Sequence, residues 1–323
     1  MPSADHYRRL FEAYLLGAPS HLNFWRETPE ENPQAIYDRL GPYYLTYGSK
    51  ADYVGPKDSA GIPLLDYRGS VGLQHNPIAI AQYGLAHFNR YRSSRERGSL
   101  QTFLQVADWL TAHLETNREG IRVWRHHFRW PYRRGLEPPW PSALAQGQAL
   151  SVLVRAAFET GDRSYLACAE TALKALVLPV SEGGLSVREA GGVWLEEYLV
   201  DPPSHILNGA VCAAWGLFDF WLATEDTRAR GLFDETVTTM ERNLPRYDTG
   251  FWSLYELPGG GFPPMAASFL YHRLHITQLK ILFRITGREP FLQYAQRWER
   301  FLRNPFCRAR AWTRKAVFKL SHY

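Results

Sequence analysis

Apolar residues recur at three- and four-residue spacing along most of the chain beyond residue 76, which is the period of one face of an α-helix. The pattern predicts helices over 76–91 (NPIAIAQYGLAHFNRY), 99–115, 142–160, 204–224, 227–244, 274–286 and 289–302. Ser142 and Ser204 stand where N-caps are expected, because a hydroxyl there accepts from an unpaired amide of the first turn. The helices come in pairs. Thr160-Gly161-Asp162, Thr224-Glu225-Asp226 and Thr286-Gly287-Arg288 each close an apolar helix and open a more polar one, at intervals of 64 and 62 residues. An inner apolar helix, a turn and an outer amphipathic helix, repeated at that period, stack into a solenoid or close into an α/α barrel. The inner helices are too apolar to face water, so closure is expected. The fold class is mainly α: an incomplete α/α toroid of stacked helical hairpins, (α/α)4 to (α/α)6.

Period-2 stretches lie between the pairs. GGLSVREAGGVWLEEY (183–198) alternates and carries Gly-Gly turns, which predicts a β-hairpin on one rim. TGFWSLYEL (249–257) reads the same way. Residues 1–75 are less regular, with PYYLTYGSKADYVG and GIPLLDYRGSVG as strands and loops. No linker or low-complexity stretch divides the chain. Residues 1–75 are therefore expected to pack as an irregular segment on a single α/α-barrel catalytic domain, 76–323.

Composition narrows the partners. The formal net charge of +5, from 37 Lys and Arg against 32 Asp and Glu, is far from a nucleic-acid footprint. Lysine is scarce beside arginine, whose planar fork grips carboxylates in pairs. The 11 Trp, 18 Tyr and 17 Phe suit a core and also a cleft for sugar rings. Cys168, Cys212 and Cys307 are odd in number and widely spaced, with neither a disulfide framework nor a zinc pattern. A reducing compartment is expected, and no signal-peptide pattern stands at the N-terminus, so the cytoplasm is the expected setting. No window of about 20 apolar residues predicts a membrane span.

Candidate chemistry concentrates in SLYELPGGGFPPMAASFLYHRLHITQL (253–279). It begins like a strand, breaks at Pro258-Gly259-Gly260-Gly261 and ends like a helix, bringing together Tyr255, Tyr271, His272 and His275. The alternative is that both tyrosines pack on the barrel rim. Glu197 ends the predicted hairpin, before Asp201-Pro202-Pro203; in a strand its neighbour Glu196 points to the opposite face, so only one of the two serves a site. WRHHFRWPYRRGLEPPW (124–140) crowds arginines, histidines and tryptophans, a composition suited to an anionic sugar chain. His126 and His127 make a poor metal pair, because adjacent side chains diverge, and no metal is expected.

EPPWPSALAQGQALSVLVRA (137–156), WLEEYLVDPPSHILNG (194–209) and YDTG…SLYEL…LYHRLHITQL (247–279) resemble the C-terminal helical domain of D-glucuronyl C5-epimerases, and NPIAIAQYGLAHF (76–88) resembles the segment upstream. The resemblance covers roughly residues 60 to 305. It implies conversion of D-glucuronate to L-iduronate residues in a heparosan- or heparan-like polysaccharide, by two-sided proton transfer at carbon 5, with no redox cofactor. It implies Tyr255, Tyr271 and Glu197 as catalytic residues, and Tyr198, Asn208 and His272 as substrate contacts. His127 and Arg129 are the nearest matches to contacts contributed by the 124–140 region. A homodimer is likewise implied. Two departures stand out. A β-sandwich domain that interrupts the animal enzymes after the match to IAQYGLAHF has no counterpart, so this is a compact form and the calcium of that domain is not carried over. The arginine that follows the first catalytic tyrosine in animals is Pro258 or Gly259 here, leaving Arg129 or Arg273 to neutralise the carboxylate.

The chemistry requires a base on one face of the sugar, an acid on the other, and donors for the developing enolate. Three other readings share these residues. A polysaccharide lyase removes the same proton and then expels the oxygen at carbon 4. A 2-epimerase of free amino sugars uses a similar barrel. A non-catalytic module would only bind the anionic glycan.

Overall fold

The computed structural model describes residues 24–132, 135–189 and 192–322. Four helical hairpins form the body. Each pairs an inner with an outer helix: α1 (Pro77–Ser94) with α2 (Arg97–Ala112), α3 (Ala143–Thr160) with α4 (Arg163–Val177), α5 (Leu207–Thr224) with α6 (Thr227–Tyr247), and α7 (Phe269–Thr286) with α8 (Glu289–Arg303). The inner helices neighbour one another in the order α1, α3, α5, α7, and α3 and α5 share the largest interface. The fold is thus an incomplete α/α toroid, with four hairpins among the described residues.

Local chemistry explains the repeat. Gly161, Glu225 and Gly287 end their inner helices in the left-handed region, at φ 74°, 58° and 68°. The threonine before each accepts from the amide of the residue after it, at 3.1, 3.2 and 3.3 Å. Asp162 and Asp226 then cap the outer helices with their carboxylates. Ser94-Arg95-Glu96 is a fourth copy that the Thr-based pattern did not reveal: Arg95 has φ 59° and the Ser94 hydroxyl accepts from the Glu96 amide.

Helix α3 is buried from Ala143 to Ala156 and α5 from Leu207 to Phe220, as inner helices must be. Their backbones nearly touch. A Cβ on Gly147 would lie 2.4 Å from Ala213 Cα, and one on Gly216 would lie 2.2 Å from the Gly147 carbonyl oxygen. Residues 29–45 bridge α7 to α1. Thr277 donates to the Pro29 carbonyl at 3.2 Å, Arg284 pairs with Glu31, and Asn89 of α1 holds the Tyr43 amide at 2.6 Å and the Leu45 carbonyl at 2.8 Å.

The predicted rim hairpin is present as β7 (Ser186–Glu189) paired antiparallel with β8 (Gly192–Leu195). Six shorter strands precede them: β1 (Leu65–Asp66) with β2 (Leu73–Gln74), β3 (Glu115–Thr116) with β4 (Arg122–Val123), and β5 (Arg125–His126) with β6 (Trp140–Pro141).

Three expectations need correction. The stretch 249–257 is no hairpin of its own; it makes two isolated bridges, Asp248 with Ser253 across a short turn and Leu254 with Ala266 across the Gly/Pro loop. Ser204 is not an N-cap: α5 starts at Leu207, and the Ser204 hydroxyl instead donates to Glu196 at 3.0 Å. A ninth long helix, α9 (Pro305–His322), follows α8 where no helix was predicted, since its five basic residues interrupt any clean apolar stripe.

Candidate active site

The site lies where the inner helices begin. Glu197 follows β8. The Glu196 amide donates to the Leu185 carbonyl at 2.9 Å, and the Glu196 carbonyl accepts from Ala143 at 3.0 Å, so the hairpin and α3 together set the strand end. The two glutamates then part as period-2 alternation requires. Glu196 ties down the following loop by accepting from the Ser204 amide and hydroxyl and the His205 amide and ring. Glu197 turns to the barrel mouth, 3% exposed.

There Asn208, in the first turn of α5, donates to Glu197 Oε2 at 3.3 Å, and Tyr198 is hydrogen-bonded to the same carboxyl. Gly209 makes room: a Cβ there would stand 2.4 Å from Glu197 Oε2 and 2.7 Å from Glu197 Cβ. Burial pushes the Glu197 carboxyl up to about 7, with Glu196 and Glu256 adding repulsion against the bonds from Tyr198 and Asn208. The leading charges on Glu197 among the described residues are thus carboxylates.

Tyr255 is fastened on both sides. Its amide donates to the Met265 carbonyl at 2.8 Å, and its carbonyl accepts from Leu207 at 3.2 Å, one residue before Asn208. Tyr271 lies in the first turn of α7, where its amide donates to the capping Ser268 hydroxyl at 3.3 Å. The two phenol rings meet at 4.8 Å between centroids, tilted by 59°. Burial raises the Tyr255 phenol well above 10, and Glu197 adds to the rise; Tyr198 is raised for the same two reasons, so both hold their protons at neutral pH. The Gly/Pro loop joins the two tyrosines and docks on the Glu197 side of the mouth. Gly259 donates to the Pro203 carbonyl at 3.2 Å, and a Cβ on Gly260 would meet Pro202 Cγ at 2.7 Å.

Rings extend the site outward. Tyr132 stands 4.6 Å from Tyr198, Trp140 5.7 Å from Tyr198, and Tyr67 4.4 Å from Phe128. The Tyr132 hydroxyl donates to the buried Glu256. Tyr132, Trp140 and Glu256 were not singled out from the sequence; the aromatic density of 124–140 was the available signal. Beside the rings is a depression of about 300 Å³, walled by Leu136, Trp140, Leu199, Val200 and Phe262, with Glu137 and Asp201 at its edge. Glu197 and Tyr255 do not line it, and both are nearly sealed.

The remaining candidates do not join this cluster. His272 is wholly buried: its Nδ1 accepts from the Ser253 amide at 3.2 Å, its Nε2 bonds the Trp298 carbonyl at 3.0 Å, and its ring stacks 3.7 Å from Trp252. With both nitrogens engaged and its pKa pushed down to about 4 by burial, it cannot donate to a carboxylate. It positions the strand end that carries Tyr255. His275 shares the Ser253 hydroxyl at 3.0 Å, as a core histidine. His127 is exposed and bonds Glu115 at 2.6 Å, while His126 is buried against Trp140, so the adjacent histidines do diverge. Arg129 is exposed and paired with Glu137 at 2.8 Å. Arg273 is exposed and follows Tyr271 by two residues, about 200° around the helix, so it leaves the site by another face. No group of three or more His, Cys, Asp or Glu among the described residues is arranged to hold a metal, and no described helix is long and apolar enough to cross a membrane.

The D-glucuronyl C5-epimerase of Caenorhabditis elegans is 33% identical over 218 residues, covering 63% of this chain and 35% of that protein. An uncharacterized protein of Methanocaldococcus jannaschii is 33% identical over 199 residues, covering 60% of this chain and 63% of that one. The chain therefore spans about a third of the first relative and under two thirds of the second. Cellobiose 2-epimerase from Bacillus thermoamylovorans shares the fold at a TM-score of 0.53 and 13% identity, over 92% of this chain and 72% of that one. The family model described as D-glucuronyl C5-epimerase C-terminus matches residues 118–300, the stretch that contains Glu197, Tyr198, Asn208, Tyr255 and Tyr271, and the chain belongs to that family.

Proposed function

We propose that the protein is a polysaccharide uronate 5-epimerase that converts D-glucuronate to L-iduronate residues in a heparosan- or heparan-like chain. One observation carries the reading: within the family-matched stretch, a sealed carboxyl at about 7 is grouped with phenols that keep their protons. A base poised near operating pH takes the carbon-5 proton most effectively. Glu197 fills that role, with Asn208 and Tyr198 orienting it. Tyr255 and Tyr271 supply acidic protons for the other face of the sugar. Removal of the proton leaves an enolate-like dianion; return of a proton from a phenol to the opposite face of carbon 5 inverts the centre. Glu197 gains one proton, the phenol loses one, and exchange with water restores both. The proposed setting is the cytoplasm, where three unpaired thiols stay reduced, and the proposed assembly is a homodimer.

The test is incubation with heparosan in D₂O, following carbon 5 by NMR, for the wild type, Tyr255→Phe, Tyr271→Phe and Glu197→Gln. Deuterium at carbon 5 with iduronate signals supports the epimerase. Unsaturated, ultraviolet-absorbing ends convert the reading to a lyase, and binding without exchange converts it to a glycan-binding module.

A further inference from the structure

We propose that α9 is a docking rail for the anionic polysaccharide outside the residue being epimerised; this rests on the reading of the site as one for a uronate polymer. The helix contains Arg308, Arg310, Arg314, Lys315 and Lys319 and no Asp or Glu. It lies beyond the family-matched residues 118–300. Its neighbour α8 balances its arginines with carboxylates: Arg303 with Glu299, and Arg297 with Asp248 of the 248–253 turn. On α9 the guanidinium groups rest on rings instead, Arg310 at 4.1 Å from the Phe251 centroid and Arg308 at 5.8 Å from that of Phe269. A guanidinium over a ring keeps its edge donors for a carboxylate.

The placement ties these charges to the site. Ala311 is buried in the same aromatic cluster as Tyr255, Tyr198 and Trp140. The Lys315 ammonium donates to the Ala266 carbonyl at 2.9 Å. Ala266 is bridged to Leu254, and Phe269 opens the helix that carries Tyr271. Arg308 and Lys315 therefore border the segment that runs between the two candidate catalytic tyrosines. Arg308 and Trp312 stand one turn apart at i and i+4, and both are exposed. Trp312 is 67% exposed, a ring face beside a cation. An acidic polymer needs that pattern: cations for its carboxylates and a flat apolar face for a sugar.

A basic helix with exposed aromatics also suits an anionic lipid surface. Phe306 and Val317 are also exposed on α9; the polymer is favoured because Arg308 and Lys315 lie against the segment that joins Tyr255 to Tyr271, where a chain entering the site would pass.

The experiment titrates the intact protein and the double variant Arg308→Ser/Trp312→Ser with long heparosan and with a heparosan tetrasaccharide, and measures KM and kcat for both by carbon-5 exchange. Unchanged Tm confirms that the variant folds. The expected result is a Kd and KM for the long chain raised about tenfold, with kcat unchanged and the tetrasaccharide unaffected. Equal effects on both substrates, or none on either, overturn the rail. A variant that loses only binding to anionic vesicles overturns it in favour of a membrane surface. Binding is read without turnover, so the two readings fail separately: α9-dependent binding without exchange leaves the rail standing and removes the epimerase, whereas exchange with α9-independent binding does the reverse.

Discussion

Two buried carboxylates at opposite ends of the barrel are treated in opposite ways. Asp219 lies in the last third of α5, eleven residues or about 16 Å along the axis from Asn208, which touches Glu197. Asp219 is fully answered. Arg155 of α3 donates to it twice, at 2.6 and 3.1 Å, and the Tyr44 hydroxyl once, at 2.7 Å. The same guanidinium also holds the Gly41 and Ser151 carbonyls. Glu197 is equally buried, but its partners are an amide and a phenol, and the nearby charges repel it. A buried charge with a complete set of partners joins three parts of the fold. A buried carboxyl without a cation is held near its own midpoint, where it can gain or lose a proton during a reaction.

The sharpest way to break this comparison is to remove each carboxylate. Glu197→Gln is expected to lower carbon-5 exchange by about 10² to 10⁴-fold while leaving stability at pH 8 equal to or above that of the wild type. Asp219→Ala, which strands Arg155, is expected to cost about 3–5 kcal/mol in urea unfolding. If the two variants show the same stability loss, the contrast is wrong. Close behind in size are the glycines. Gly216→Ala drives a methyl into the Gly147 carbonyl and is expected to cost about 3 kcal/mol. Gly209→Ala pushes on Glu197 instead, so kcat should fall by more than the stability loss explains; unchanged kcat would remove the steric argument.

pH gives a subtler test. The Glu197 pKa is raised on folding from 4.5 to about 7. Its contribution to stability is therefore fully present below pH 4.5 and is lost as pH rises through 7, on the order of 3 kcal/mol. His205 is also raised, its bonds and charge interactions with Glu196 and Glu189 outweighing its desolvation, and it acts in the same direction. The informative quantity is therefore the difference between wild type and Glu197→Gln: the variant should show a flatter fall of Tm between pH 5 and 8. In the wild type, kcat/KM should rise with pH to a plateau above about 7, since the base must be ionised. A descending limb there would make Glu197 the acid. The smallest effect concerns the far end alone. Glu225 occupies a left-handed position that Gly161 and Gly287 fill in the sister hairpins, so Glu225→Gly should add about 0.5–1 kcal/mol without changing exchange.

Much of this was legible in advance, and the exceptions have physical causes. Inner and outer helices announce themselves, because burial on all sides and burial on one stripe demand different compositions. Motif resemblance picked out Tyr255 and Glu197 as candidates, and alternation made the separation of Glu196 from Glu197 legible. His272 was not. Adjacent residues on a helix point about 100° apart, and only Trp252 and Trp298, distant in sequence, decide which of Tyr271 and His272 is walled in. Ser204 looks like a cap until Glu196 claims its hydroxyl. Helix α9 lacks a hydrophobic period, because part of its inner face is covered by lysine and arginine stems lying over rings and a carbonyl.

The sequence alone determined the repeat, the turns that close three of the four inner helices, and the residue types present at the barrel mouth, since all of these depend on neighbours within a few positions. The tertiary structure decided how those residues are used. Charge state and access depend on desolvation and on partners brought from remote segments, and these assigned Arg155 to Asp219, left Glu197 without a cation among the described residues, and set Arg308 and Lys315 beside the segment between the tyrosines.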